Sequence, residues 1–111
     1  MITVTEETIA NMVDAIIKEV DPERVYLFGS RARGEGAECS DIDLLIVERE
    51  PFGPARSRLQ ELARVRSVLS LFRVPKDILV YSTDEFSKWQ HSVNHIVADC
   101  VREGKLLYAR P

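Results

Sequence analysis

The sequence of 111 residues contains few cysteines and few histidines. Cys39 and Cys100 form no CxxC pair, while His91 and His95 lie four residues apart without a third metal ligand nearby in sequence. These spacings argue against a disulfide and against a metal site built on histidine. We expect two free thiols, and histidines that serve packing or a helix surface.

Long apolar runs and an excess of positive charge are also missing. No segment approaches the roughly 20 apolar residues that cross a bilayer, and the N-terminus lacks the basic and apolar regions of a signal peptide. The formal net charge is -3, whereas proteins that hold nucleic acid by themselves depend on an excess of cations. We expect a cytoplasmic protein with no membrane segment and no strong direct binding to nucleic acid.

The composition that is present suits a globular chain. Hydrophobic residues make up 45% and charged residues 30% of the sequence, a balance that lets one core be buried while the surface stays soluble. The length fits a single domain over residues 1–111. Five apolar side chains at helical spacing predict a helix in the middle of the chain: Leu59, Leu62, Val65, Leu69 and Phe72.

The order of predicted elements favours an α+β (mixed α/β) fold with a small mixed β-sheet packed with helices. A first helix carries apolar residues from 9 to 20, capped by Thr3 or Thr5, and strands are predicted at residues 24–28, 42–47 and 76–81. The strand at 42–47 should be central because it is almost wholly apolar. A helical region is predicted from residue 83 to about 102, with residues 105–108 as a short tail.

Acidic residues mark the starts of two predicted strands. Asp41 and Asp43 are two residues apart, so their side chains point to the same face with Cα atoms about 6.5 Å apart. Such a pair beside an apolar strand requires a compensating cation, and Mg²⁺ prefers oxygen ligands. Asp77 can join as a third ligand if its strand pairs in register, since a slip of one residue would turn it to the other face. Three acids could hold two metal ions.

A glycine and a serine end the first predicted strand abruptly. Gly29 lets the backbone turn sharply and approach a ligand, and the hydroxyl of Ser30 with nearby free amides suits a phosphate. Arg31 and Arg33 add positive charge close by. Each of these features is common by chance. The combination of strand, Gly-Ser, basic turn and a strand that opens with two aspartates is far more specific.

This combination resembles the GSxARG…SDIDLLV signature of the DNA polymerase β-like nucleotidyltransferase superfamily. Residues 29–34 read GSRARG and residues 40–47 read SDIDLLIV. Within the superfamily the chain resembles the minimal nucleotidyltransferase (MNT) branch, which is also similar in the segment KDILVYS around Asp77 and in the ending REGKLLY at residues 102–108.

The resemblance implies the polymerase β-like fold and the transfer of a nucleoside monophosphate from a nucleoside triphosphate, ATP in the first instance. By position, Gly29 and Ser30 would contact the triphosphate. Arg33, and Arg31 beside it, are candidate contacts to phosphate.

The resemblance also assigns roles to the three acids. Asp41 and Asp43 would ligate the metal ion that bridges the triphosphate. Asp77 would help to hold a second ion and assist deprotonation of the acceptor hydroxyl. Two Mg²⁺ ions are expected, with Mn²⁺ as the alternative.

The acceptor has to be inferred from the resemblance as well. MNT proteins are commonly paired with a HEPN-domain protein as the antitoxin of a toxin–antitoxin system, and some transfer AMP to a tyrosine of that partner. Our first hypothesis is therefore a protein adenylyltransferase that neutralises a HEPN toxin. One alternative is a catalytically weak nucleotide-binding module that neutralises its partner by occlusion. Another is an enzyme that modifies a small molecule such as an antibiotic, with a pocket completed by a homo-oligomer.

Overall fold

The computed structural model of the protein describes residues 6–29, 31–32 and 41–111. The predicted caps Thr3 and Thr5, together with Cys39, lie outside these residues. The described part contains α1 (Glu6–Val20), β1 (Arg24–Phe28), β2 (Ile42–Glu48), α2 (Arg58–Leu69), β3 (Lys76–Ser82), α3 (Thr83–Trp89), α4 (Ile96–Glu103) and β4 (Lys105–Ala109). None of the helices among the described residues is both long and apolar enough to cross a membrane.

The strands form one mixed sheet in the order β3-β2-β1-β4. Strand β1 runs antiparallel to β2 and to β4, whereas β2 and β3 are parallel. A parallel pair needs a crossover connection, and α2 provides it between β2 and β3. The predicted α+β class is confirmed, as is the interior position of the second strand.

Strand β2 is apolar because both faces of the sheet are covered. Leu44 and Ile46 belong to the core cluster that includes α1 and α2. Leu45 and Val47 belong to a second cluster under α3 and α4. Since successive side chains of a strand point to opposite faces, a strand buried on both sides reads as a continuous apolar run. This packing fixes β2 rigidly, and with it any side chain at its start.

The predicted helical region from 83 to about 102 requires a correction. It consists of two helices, α3 and α4, separated by residues 90–95. Helix α3 begins with a capping box in which Ser82 and Glu85 satisfy each other's backbone N–H groups. Asn94 has a φ of 62°, a left-handed conformation that asparagine tolerates and a continuous helix cannot contain.

The predicted tail at residues 105–108 is also corrected, because it forms the edge strand β4. Lys105 pairs with Leu27, and Tyr108 pairs with Val25. Gly104 joins α4 to this strand, and a Cβ there would lie 3.1 Å from the Leu27 carbonyl oxygen and closer still to that of Cys100. The glycine therefore allows the helix end to approach the sheet closely.

Helix α2 ends at Leu69, before the predicted Phe72, and it departs from the predicted apolar face at Leu59. Leu59 is 76% exposed, while Glu61 is buried and paired with Arg56 at 2.9 Å. Arg56 also pairs with Glu48, the last residue of β2. Arg56 thus contacts two carboxyl groups at this end of the sheet. Charge pairing has outweighed helical periodicity here.

The buried carboxyl of Glu48 makes folding stability depend on pH. Burial, together with the hydrogen bond and the negative charge of Glu61, raises its pKa from the ordinary 4.5 to about 8, against the opposing effect of Arg56. Between these two pH values the folded chain holds a proton that the unfolded chain releases, so stability falls as pH rises through this window, by up to about 1.4 kcal/mol per pH unit. Glu48→Gln, which keeps the neutral form, should lose much less stability between pH 6 and 8.5.

Urea unfolding of both proteins at these two pH values measures the difference. An equal decline in the wild type and in the Gln variant would contradict this assignment.

Candidate active site

The predicted acids lie at the end of the sheet where β2 and β3 begin. Asp43 is the second residue of β2 and Asp77 the second residue of β3, and the parallel register pairs these two residues directly. Asp41 lies two residues before Asp43, at the entrance to β2, and is exposed. This register places Asp43 and Asp77 side by side, as a shared carboxylate cluster requires.

The electrostatics of Asp43 reflect this crowding. Burial raises the pKa of the Asp43 carboxyl, and the negative charges of Asp77 and Asp41 raise it further, as does a hydrogen bond between the carboxyl groups of Asp43 and Asp77. Within the described residues, no basic side chain forms an ion pair with any of these three acids. The cluster thus concentrates negative charge where β2 and β3 begin.

Gly29 brings the end of β1 against the same cluster. Phe28 pairs with Asp43 across the sheet, and Gly29 follows with a φ of 76°. A Cβ at this position would collide with Oδ2 of Asp43. Two features therefore favour glycine at this position. Its backbone is left-handed, and the carboxylate of Asp43 occupies the space that a side chain would need.

The other predicted phosphate contacts are only partly described. Arg31 lies in the turn two residues after Gly29 and is half-buried. Ser30 and Arg33 lie outside the described residues.

A divalent cation fits the chemistry of this cluster. Carboxylate oxygens are the ligands that Mg²⁺ prefers, and uncompensated charge beside a buried strand favours a bound cation. As the side chains stand, no three His, Cys, Asp or Glu side chains of the described residues form a group that could hold a metal ion. Asp43 and Asp77 form the close pair, and Asp41 flanks it.

The sequence did not predict that Cys100 lies near this site. Cys100 is fully buried in α4 as a free thiol, which confirms the prediction that it is unpaired. Burial raises its pKa to about 12, and the charges of Asp99 and Asp43 contribute to the shift. Asp43 therefore lies close enough to α4 for its charge to act on the thiol, a proximity that depends on how α4 packs across the sheet and is invisible in local sequence.

His95 lies between α3 and α4. The ring of His95 stacks on Trp89 with centroids 4.6 Å apart. Its Nδ1 accepts a hydrogen bond from the backbone N–H of Val97 at 3.1 Å, which caps α4. His95 has a packing and capping role.

The sequence and fold define the class of protein to which this chain belongs. Residues 9–103 match the family model described as a nucleotidyltransferase domain. The match covers most of the chain, and the chain belongs to this family. The predicted family resemblance is confirmed.

Part of the chain is similar to a curated protein. The protein named "Probable protein adenylyltransferase MntA" from Haemophilus influenzae is 40% identical over 52 residues, which are 45% of this chain and 46% of that protein. The chain spans about half the length of the curated relatives that it matches.

Solved structures share the fold. A structure described as a "putative nucleotidyltransferase" from Sulfolobus solfataricus matches with a TM-score of 0.67 and 24% identity, over 94% of this chain and 79% of that chain. A chain in the structure of a tri-AMPylated Shewanella oneidensis HEPN toxin in complex with MNT antitoxin matches with a TM-score of 0.59 and 14% identity, over 95% of this chain and 72% of that chain. At these identities the likeness establishes the fold and nothing finer.

Proposed function

We propose that this protein is a metal-dependent nucleotidyltransferase that transfers AMP from ATP to a hydroxyl group on a partner protein. The observation that carries the proposal is the direct pairing of Asp43 with Asp77, with the backbone of Gly29 against the same carboxylate. Membership of the nucleotidyltransferase family and a relative named as a protein adenylyltransferase support it.

The three aspartates of the cluster would have different roles in the reaction. Asp41 and Asp43 would hold one Mg²⁺ ion, and Asp77 would help to hold a second. When bound, Mg²⁺ ions supply charge that lowers the pKa of the acceptor hydroxyl and offsets the charge of the leaving pyrophosphate. Asp77 is exposed, so its carboxylate is open to an acceptor hydroxyl and can take its proton.

The triphosphate would lie along the turn that follows β1. Gly29 has no side chain, so the main chain can approach the phosphates beside Asp43. Ser30, Arg31 and Arg33 are proposed as phosphate contacts, because hydroxyl and guanidinium groups donate hydrogen bonds to phosphate oxygens.

The acceptor is proposed to be a tyrosine of a HEPN-domain toxin, with this chain as its antitoxin. One solved structure with the same fold contains a tri-AMPylated HEPN toxin together with an MNT antitoxin. Asp41 and Asp77 are both exposed, an arrangement that suits an acceptor presented by another protein.

Incubation with a HEPN-domain toxin and with ATP labelled at the α-phosphate tests the proposal. We expect Mg²⁺-dependent label on the HEPN protein, no label from ATP labelled at the γ-phosphate, and at least a 100-fold loss of transfer in EDTA. The γ-labelled control separates AMP transfer from phosphorylation. Neutralisation of the toxin without any label would instead favour occlusion, and label that persists in EDTA would contradict metal dependence.

A further inference from the structure

Asp77 lies near the end of an outer strand of the sheet. Among the described residues β3 pairs with β2 alone, and Asp77 is the second residue of β3. The end of a strand that is paired on one side only opens more readily than the middle of a sheet, because fewer hydrogen bonds hold it. The proposed site nevertheless requires the carboxylate of Asp77 to stay beside that of Asp43. A contact outside the strand pairing is therefore expected to hold this end of β3.

The side chain of Lys76 provides such a contact. Its ammonium group donates hydrogen bonds to the backbone oxygen of Phe72 at 2.9 Å and to that of Val74 at 3.2 Å. Both oxygens belong to the connection between α2 and β3, so one side chain holds two points of this turn. Hydrogen bonds from a charged donor are stronger than those between neutral groups. Lys76 is half-buried, which partly shields these bonds from water.

Two further contacts fix the same turn to the rest of the protein. The backbone N–H of Ile42 donates to the backbone oxygen of Pro75 at 2.9 Å, which joins the start of β2 to the residue before β3. Val74 is buried in the core cluster that includes α1 and α2. The turn is therefore joined to β2 at one point and to the core at another, and Lys76 closes it onto the start of β3.

The alternation of side chains along β3 separates Lys76 from the carboxylates. Lys76 pairs with Ile42, one position before the pairing of Asp77 with Asp43. Ile42 packs in the cluster with α1 and α2, and successive residues of a strand point to opposite faces. Lys76 is thus directed to the α2 side of the sheet and Asp77 to the other side. Lys76 therefore acts on Asp77 through the backbone and not by placing its charge among the carboxylates.

We propose that Lys76 is a positioning residue, which holds the start of β3 in the register that keeps Asp77 beside Asp43. This inference rests on the proposed function for the role of Asp77 as a ligand of a second Mg²⁺ ion. Lys76 itself would touch neither the nucleotide nor the metal ion. Removal of a group that orients a metal ligand typically lowers metal affinity about 10- to 100-fold.

Amide hydrogen exchange in the protein without metal or nucleotide tests the anchor itself. Lys76→Met keeps an unbranched side chain of similar length but removes the three N–H donors. The amide of Ile42, which donates to Pro75, should exchange at least fivefold faster in this variant. The amide of Glu23, which donates to Val47 near the other end of β2, should change less than twofold. Unchanged exchange at Ile42 would overturn the proposal.

The number of bound Mn²⁺ ions tests whether the anchor serves the site. Electron paramagnetic resonance of free Mn²⁺ counts the ions that the protein binds in the presence of ATP. We expect two in the wild type. Lys76→Met should weaken one of them at least tenfold and leave the other within twofold, and Lys76→Arg, which keeps the charge and the donors, should stay within threefold for both. Fewer than two ions in the wild type, or faster exchange at Ile42 with unchanged Mn²⁺ binding, would overturn the proposal.

Two control variants separate this effect from changes in net charge and in general stability. Lys18→Met removes an exposed lysine in the last turn of α1. Ile16→Val shortens a fully buried side chain of the same helix. Both variants should bind two Mn²⁺ ions with affinities within twofold of the wild type. A tenfold loss in either control would assign the effect to charge or stability in general and overturn the proposal.

Transfer kinetics distinguish a failure of this inference from a failure of the proposed activity. In the assay with a HEPN-domain toxin, Lys76→Met should lower kcat at least tenfold at limiting Mg²⁺. KM for ATP should change less than twofold, because Asp41 and Asp43 are unaltered. A wild type that binds two Mn²⁺ ions without transferring label would refute the transferase activity alone, whereas a loss confined to KM would overturn the role of Lys76.

Discussion

Asp43→Asn is expected to lower the rate of AMP transfer at least about 100-fold while leaving the fold intact. The substitution keeps the size of the side chain but removes the charge at the centre of the carboxylate cluster. Because burial and the neighbouring acids already disfavour the charged form of Asp43, its removal should leave the melting temperature unchanged or raise it. Initial rates of label transfer and thermal unfolding measure the two effects.

The matched control is Asp84→Asn, an equal change at an exposed position in the first turn of α3. It should retain the wild-type rate, because it lies on a different element from the cluster. Its small stability cost, a few tenths of a kcal/mol, arises from the loss of an acid at a helix N-terminus. A rate for Asp43→Asn within tenfold of wild type would argue against Asp43 as a metal ligand.

Gly29→Ala should damage both stability and nucleotide binding. The backbone φ of 76° is strained for any residue with a Cβ, at a cost of about 1–2 kcal/mol. The added methyl group would also collide with Oδ2 of Asp43, so the carboxylate must move from its place beside Asp77. We expect a loss of about 1–3 kcal/mol in the free energy of unfolding and at least tenfold weaker binding of ATP with Mg²⁺.

Gly53→Ala is the natural control for this substitution. A Cβ at Gly53 meets no atom within 4 Å, and its backbone is not left-handed. Stability should change by less than about 0.5 kcal/mol and nucleotide binding should be unaffected. Urea unfolding and calorimetric titration of both variants decide the comparison. Similar behaviour of the two alanine variants would show that Gly29 has no special role.

The strands that carry the proposed site were predictable because their sequence patterns are local. Residues 24–28 are β1 as predicted, and the apolar run that begins at Ile42 is β2. Asp43 and Asp77 each lie at the start of a strand, where the sequence pattern places them, whereas their direct pairing depends on the register. Only the register between the strands was beyond the sequence, since a slip of one residue changes no local signal.

The elements that were wrong in the sequence analysis depend on tertiary contacts. Residues 105–109 form β4 because they pair with the edge of β1. Five residues without a clear alternation of apolar and polar side chains do not predict a strand by themselves. Leu59 fits the apolar period of α2 yet is exposed, while Glu61 is buried by its pairing with Arg56. Local periodicity cannot reveal an ion pair between distant segments.

The burial of Glu48 was equally hidden from sequence. Glu48 reads as the polar end of an apolar strand, the usual sign of a solvated residue. Its burial results from the way α2 and the preceding loop fold back, which places Arg56 beside it. The same acid type therefore lies at both ends of β2 in two different electrostatic settings.

Calorimetric titration of ATP into the purified chain, with Mg²⁺ or with EDTA and with or without the proposed HEPN partner, tests the central claim most directly. The account predicts saturable binding that requires Mg²⁺ and is lost in a folded Asp41→Ala/Asp43→Ala variant. Binding that is undiminished both in EDTA and in that variant would contradict it, as would the absence of Mg²⁺-dependent binding even when the partner is present.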